Sequence, residues 1–219
     1  KVGQINLTGE HTDAILGGGF TQLQLGYIHG NTDLSRNENN YNDDQSDVGA
    51  HTNGDYDKYS LQLLRLQRGS ERLTFQFLLA GQLAGKNLDG GEKLVLGGPT
   101  GVRGYPAGEA SGDEGYRVGL DAKYVFATAT KIGDIAGSIF YDDGMVSQYY
   151  NPGSINMTTP NTVHLSSWGV ALDAYASGKY AVKLGWAQAI GANPVANNGK
   201  NSDGLTNMSR FWLSGTVNF

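Results

Sequence analysis

The sequence predicts an all-β protein, best read as a transmembrane antiparallel β-barrel with about 8–9 strands. Apolar and polar residues alternate with period two along most of the 219-residue chain, and helical periodicity is hard to find. Long and short connections also alternate, as expected when all long loops lie on one side of a membrane. The 33 glycines, 12 tyrosines and absence of cysteine suit a turn-rich sheet protein with aromatic bands. A soluble β-sandwich is the alternative fold, because its strands alternate too.

The strands follow in chain order from this alternation. In many of them, one face is apolar and the length approaches the ~9–11 residues that a tilted strand needs to cross a bilayer. The expected strands are 2–9, 21–29, 59–66, 73–79, 116–126, 135–141, 168–174, 180–186 and 211–219. Aromatic residues at the ends of the apolar faces are expected to form interfacial girdles. These residues are Trp168, Trp186, Trp212, Tyr116, Tyr124, Tyr141 and Tyr180.

The connections between these strands sort into two groups. The short ones are 11–19, 68–71, 128–133 and 177–179, and the long ones are 31–57, 86–115, 147–163 and 191–209. One long loop, residues 85–115, contains a glycine- and proline-rich stretch in which Arg103 has no acidic neighbour. Loops this long in a compact protein are usually functional or disordered. A barrel can also be plugged by its own loop.

Several function classes are disfavoured by composition and motifs. The net charge of −5 gives no reason to expect a nucleic-acid partner. Residues 97–104 superficially resemble a phosphate loop but lack its Gly-Lys-Ser/Thr ending. The four histidines show no metal spacing, and the acidic loop 31–57 is better explained as a solvated surface than as a calcium site. No Gly-x-Ser-x-Gly motif is present. We therefore expect no catalytic residues, no metal and no cofactor, and the chain is not predicted to be an enzyme.

Segments along most of the chain resemble the TpsB family, the outer-membrane transporters of two-partner secretion and relatives of the barrel-assembly factors. The resemblance is densest between Asn87 and Gly115, and Phe140-Tyr141-Asp142-Asp143-Gly144 fits the superfamily signature Phe-x-Asp-x-Gly. The matching loop segments are Asn87-Leu88-Asp89, Glu92-Lys93, Leu96-Gly97-Gly98, Val102-Arg103-Gly104-Tyr105-Pro106, Gly108-Glu109 and Gly112-Asp113-x-Gly115.

The resemblance implies a loop that folds back into the barrel, with its arginine paired to the aspartate of the signature strand. Carried over, Arg103 pairs with Asp142 as a lock between loop and barrel. The loop motif would comprise Gly97, Gly98, Val102, Gly104 and Tyr105, and the strand motif Phe140 and Gly144. Alternation agrees on one point, since it places Asp142 on the polar, lumen-facing side of its strand.

The family's architecture implies that this chain is incomplete. TpsB proteins have a sixteen-stranded barrel preceded by a plug helix and two periplasmic domains, so residues 1–219 are expected to be a single barrel domain forming the C-terminal part. A complete eight-stranded barrel and an assembly of two half-barrels are the other possibilities. The absence of a signal peptide indicates a mature chain or one cut from a longer protein.

The implied function is translocation of a large exoprotein across the Gram-negative outer membrane. The exoprotein would be an adhesin, a haemolysin or a contact-dependent toxin. The alternatives are an outer-membrane protein assembly or insertion factor and a passive porin. The expected partners are the secreted exoprotein, outer-membrane lipid and the barrel-assembly machinery, which would recognise the last strand ending at Phe219.

Overall fold

The computed structural model describes residues 1–218, which form a nine-stranded antiparallel sheet and a small hairpin. The long strands are β1 (Val2–Asp13), β2 (Gly19–Thr32), β3 (Gly54–Arg68), β4 (Leu73–Ala84), β7 (Glu114–Thr130), β8 (Gly133–Ser147), β9 (Thr162–Ala176), β10 (Tyr180–Ile190) and β11 (Ser209–Val217). The hairpin consists of β5 (Leu94–Leu96) and β6 (Ala110–Gly112). Two 3-10 turns lie at Ile15–Gly17 and Gly90–Glu92, and one helix, α1, spans Glu38–Asp44.

The sheet is a meander in which each strand pairs with the next long strand of the chain. Its order is β1-β2-β3-β4-β7-β8-β9-β10-β11, and every pair is antiparallel. Within residues 1–218, β1 and β11 each pair on one side only. Several strands are longer than expected, β7 reaching 17 residues, because their polar ends continue the ladder beyond the alternating stretches.

The two faces of the sheet have opposite character. Large apolar side chains on one face are solvent-exposed, and this outer face includes Leu120, Tyr124, Ile139, Tyr141, Trp168, Val170, Leu172, Leu184, Phe211 and Leu213. Trp168 and Trp186 pack edge to face on it with ring centroids 5.4 Å apart. The inner face carries most of the polar residues between them, together with some apolar ones such as Leu64 and Leu78. This arrangement is that of a barrel wall with lipid outside and polar groups inside.

Helix α1 lies in the acidic connection between β2 and β3, where only a solvated loop was expected. The side chain of Asn37 caps it by accepting a hydrogen bond from Asn40 N at 3.2 Å. Asp44 closes the same connection by accepting bonds from Thr52 N at 2.8 Å and Asn53 N at 3.0 Å. Within the described residues, no helix has the length and apolar character to cross a membrane. Phe219, expected to end the last strand, lies outside the described residues.

Candidate functional site

The connection between β4 and β7, residues 85–113, lies against the inner face of the sheet, and we call it the arginine loop. Its apolar side chains are buried in a cluster with inner-face residues of β8, β9 and β10. The loop contributes Leu96, Val102, Tyr105 and Ala110, and the wall contributes Val146, Val163, Leu165 and Ala189. A loop rich in glycine and polar residues therefore packs on the barrel wall through a buried apolar cluster.

Glycines shape the tip of the arginine loop. Gly97 and Gly98 have φ angles of 81° and 92°, which residues with a side chain rarely adopt. A Cβ atom at Gly101 would lie 2.7 Å from Gly97 O, so the backbone turns tightly back on itself. These glycines allow the chain to reverse direction just before Arg103.

The Arg103 guanidinium lies between two carboxylates on adjacent strands. Its Nε and Nη2 bind Asp142 of β8 at 2.9 and 2.6 Å, and its Nη1 and Nη2 bind Asp121 of β7 at 2.9 Å each. Asp142 is 1% exposed. The pKa of Arg103 is raised, because hydrogen bonds to Asp142 and Asp121 outweigh the lowering by burial. The cation is therefore permanent, and its planar geometry suits two-pronged binding of carboxylates.

The two residues of the strand motif, Phe140 and Gly144, complete the binding site of the arginine loop. The Phe140 ring lies under the guanidinium, 3.5 Å from Arg103 Cζ to the ring centroid. Gly144 faces the loop, where an added Cβ would lie only 2.8 Å from Leu96 Cδ2 and 3.4 Å from Val102 Cγ2. The signature strand thus supplies an acceptor, an aromatic surface and a gap for the loop's apolar side chains.

The backbone of the arginine loop is fixed as firmly as its side chain. Arg103 N donates to Asp142 Oδ2 at 3.0 Å, and Gly104 N donates to Ser167 Oγ at 3.0 Å. Ser167 in turn donates to Asp142 Oδ2 at 3.1 Å. Arg103 O accepts a bond from Trp212 Nε1 at 2.8 Å. Both the position and the orientation of the loop tip are therefore specified.

The assignment of Trp212 to an outer aromatic girdle is wrong. Its indole reaches Arg103 on the inner face, because its neighbours Phe211 and Leu213 occupy the outer face and side chains alternate along a strand. Asp121 and Ser167 were also missed as site residues. Alternation already placed Asp121 on the polar face, and the pairing of Asp142 with Ser167 and Gly119 becomes visible only once the strand register is known.

Asn87, near the start of the arginine loop, connects it to two other long connections. Its Nδ2 donates to Ala50 O at 2.7 Å in the β2–β3 connection and to Asn151 O at 2.8 Å in the β8–β9 connection. Its Oδ1 accepts from Asn151 N at 2.7 Å. One side-chain amide therefore joins three loops.

Asp113, at the end of the same loop, is fully buried. Its carboxylate accepts from Leu88 N at 3.1 Å and Tyr150 N at 2.8 Å, and pairs with Lys93 Nζ at 3.0 Å. Leu88 and Lys93 lie in the arginine loop, and Tyr150 lies in the β8–β9 connection. Asp113 therefore joins two parts of the arginine loop and also connects this loop to the β8–β9 connection. A buried carboxylate with this many partners is a strong local constraint.

Glu109 attaches the arginine loop to the β10–β11 connection. It accepts from Ser202 N at 2.9 Å and Ser202 Oγ at 2.8 Å, and also from Asn193 Nδ2. Together with Asn87 and Asp113, it links the arginine loop to all three other long connections.

A cavity of about 670 Å³ remains beside the loop tip on the inner face. Glutamine and leucine residues of β2, β3 and β4 line one side, the leucines including Leu64 and Leu78, and charged residues line the other. The first group includes Gln22, Gln24, Gln62 and Gln76, and the second includes Arg117, Asp121, Lys123 and Lys183. Beside the loop tip, the described part of the inner face therefore carries polar, charged and apolar side chains.

Asp142→Asn is expected to release the arginine loop more than Asp121→Asn. Asp142 also binds Arg103 N and Ser167 Oγ, and removing one partner of a buried ion pair costs about 3–5 kcal/mol. Asp121 is more exposed and binds only the guanidinium in the described structure. The measurement is trypsin cleavage after Arg103, followed by mass spectrometry, with Asp173→Asn as control. Equal cleavage in the Asp121 and Asp142 variants would contradict the ranking.

Comparison with known proteins identifies the family. Residues 4–174 match the family model of the haemolysin secretion/activation proteins ShlB/FhaC/HecB. The heme/hemopexin transporter protein HuxB of Haemophilus influenzae strain 86-028NP is 31% identical over 199 residues, covering 90% of this chain and 32% of the relative. HuxB of strain ATCC 51907 / DSM 11121 / KW20 / Rd is 33% identical over 159 residues, covering 71% and 26%.

A solved structure shows the same fold. CdiB from Escherichia coli superposes with a TM-score of 0.69 at 17% identity, covering 98% of this chain and 36% of that chain. The chain thus spans about a third of the length of these relatives. The prediction of a partial transmembrane β-barrel is confirmed. The chain belongs to the haemolysin secretion/activation family, the TpsB transporters of two-partner secretion in the outer membrane of Gram-negative bacteria, and forms part of their barrel.

Proposed function

We propose that this chain is the C-terminal part of a sixteen-stranded barrel that translocates one large exoprotein to the cell surface. The observation that carries the proposal is the binding of the Arg103 guanidinium by carboxylates of two strands, while its loop packs on the inner face of the sheet. An arginine loop held by these contacts blocks the path through the barrel until the contacts separate. A passive pore requires no such contact set.

In this proposal residues 1–219 are one barrel domain, and the predicted loop 85–115 folds into the lumen up to residue 113, because Glu114 and Gly115 belong to β7. Arg103 and Asp142 form the lock, Gly97, Gly98, Val102, Gly104 and Tyr105 shape the loop, and Phe140 and Gly144 complete its binding site. Opening the path requires these contacts to separate. Polar and charged groups that line part of the cavity, among them Gln62, Arg117 and Lys183, give the path a partly polar wall beside the loop.

The proposed partners follow from the same arrangement. An adhesin, haemolysin or contact-dependent toxin would cross the lumen, and lipid would cover the apolar outer face. The barrel-assembly machinery would recognise the last strand and its terminal Phe219. The transport itself uses binding and conformational change, and we assign no catalytic residue.

Surface delivery of a candidate exoprotein tests the proposal. An epitope-tagged exoprotein is produced with the full transporter polypeptide that contains this chain, and intact cells are probed with antibody. We expect surface signal with the transporter and periplasmic retention without it. A large steady conductance in planar bilayers without delivery would favour a porin. Loss of other outer-membrane proteins on depletion would favour an assembly factor.

A further inference from the structure

Two consecutive residues of the arginine loop contact five consecutive strands. Arg103 and Gly104 reach the inner face of each strand from β7 to β11. Their partners are Asp121 on β7, Asp142 on β8, Ser167 on β9, Ala189 on β10 and Trp212 on β11. Since neighbouring strands lie about 4.8 Å apart, the contacts span roughly 19 Å across the sheet. The loop tip, Arg103 and Gly104, thus connects five neighbouring strands across the sheet, and we call this set of contacts the brace.

The last described strand, β11, contacts the loop through Trp212. In the described structure β11 has nine residues, the fewest in the nine-stranded sheet. Its side chains Phe211 and Leu213 are exposed on the outer face. Trp212 lies opposite Gly185 of β10, where no side chain competes for the space that the indole occupies.

We propose that Trp212 is a positioning residue through which the arginine loop holds strand β11, so that displacement of the loop also loosens this strand. The Trp212–Arg103 bond gives the strand an additional attachment from inside the barrel. The consequence for transport rests on the proposed function, because an exported chain is what would displace the loop.

Hydrogen exchange of the full transporter polypeptide tests the coupling without an export assay. Trp212→Phe removes the N–H donor and keeps an aromatic ring, so β11 amides are expected to exchange about three- to tenfold faster, the range given by loss of one hydrogen bond. The amides of β9 should be unchanged. Trp168→Phe, on the outer face of β9 and two strands away from β11, is the matched control and should leave β11 at the wild-type rate.

Non-additivity distinguishes coupling from a general loss of packing. Arg103→Ala should also accelerate β11 exchange, and adding Trp212→Phe to it should produce no further increase. Unchanged β11 exchange in Trp212→Phe, or additive effects in the double variant, would overturn the inference. If Trp212→Phe gives no barrel, benzothienylalanine at position 212 retains the bicyclic shape and removes only the N–H. Failed export with coupled exchange would count against the proposed function and leave this inference standing.

Discussion

Arg103→Ala is expected to lower surface delivery of the exoprotein by at least about tenfold, with a much smaller fall in barrel abundance. The substitution leaves two inner-face carboxylates without their cation, and breaking such a buried pair costs about 3–5 kcal/mol. The loop then leaves the inner face, while the ladder of the sheet stays intact. Antibody labelling of intact cells measures delivery, and heat-modifiable mobility on gels measures the folded barrel.

Charge rearrangements sharpen this test. Exchanging the charges with Arg103→Glu and Asp142→Arg is expected not to restore export, because Asp142 also accepts bonds from Arg103 N and Ser167 Oγ. Asp121 would in addition face the new glutamate. Wild-type delivery by a well-folded Arg103→Ala variant would show that the lock has no part in transport.

Gly104→Ala is expected to lower export by about tenfold, as is expected for Arg103→Ala. The added Cβ would lie 2.7 Å from Ala189 N, 2.9 Å from Ala189 Cα and 2.7 Å from Ser167 Cβ, so the loop must move away from the strands. Overpacking of this kind costs about 1–3 kcal/mol, and tenfold corresponds to about 1.4 kcal/mol. Export and trypsin cleavage after Arg103 are both measured.

Gly90→Ala is the matched control for that substitution. Gly90 belongs to the same loop, and an added Cβ there has no atom within 4 Å in the described structure. It should therefore export at the wild-type level and resist trypsin. Normal export by Gly104→Ala together with wild-type protease resistance would show that close packing at this position is not required.

Alternation along the strands predicted the barrel because side-chain period and burial are directly linked in a sheet. It placed Asp142 on the inner face, where the structure finds it. The resemblance supplied Arg103 as its partner, and the two side chains do meet. Helix α1 escaped notice because a seven-residue polar helix has no apolar stripe to give it a period.

The rest of the site depends on register, which local sequence does not determine. Asp121 and Ser167 were visible as polar positions, but only pairing with β8 brings them next to Asp142. Trp212 was misassigned from residue type, although its own alternation with Phe211 and Leu213 gives the correct face. Loop contacts such as that of Glu109 with Ser202 join residues far apart in the chain and carry no local signal.

The attachments made by Asn87, Glu109 and Asp113 lie on both sides of Arg103 in one segment of chain. Through these attachments, the arrangement of the surface loops and the binding of Arg103 to Asp121 and Asp142 are thermodynamically linked. Consider a molecule that binds the surface loops only after these attachments separate. Its binding must lower the fraction of molecules in which Arg103 is bound to its two carboxylates. Reciprocally, any change that separates Arg103 from these carboxylates must raise the affinity for that molecule by the same factor.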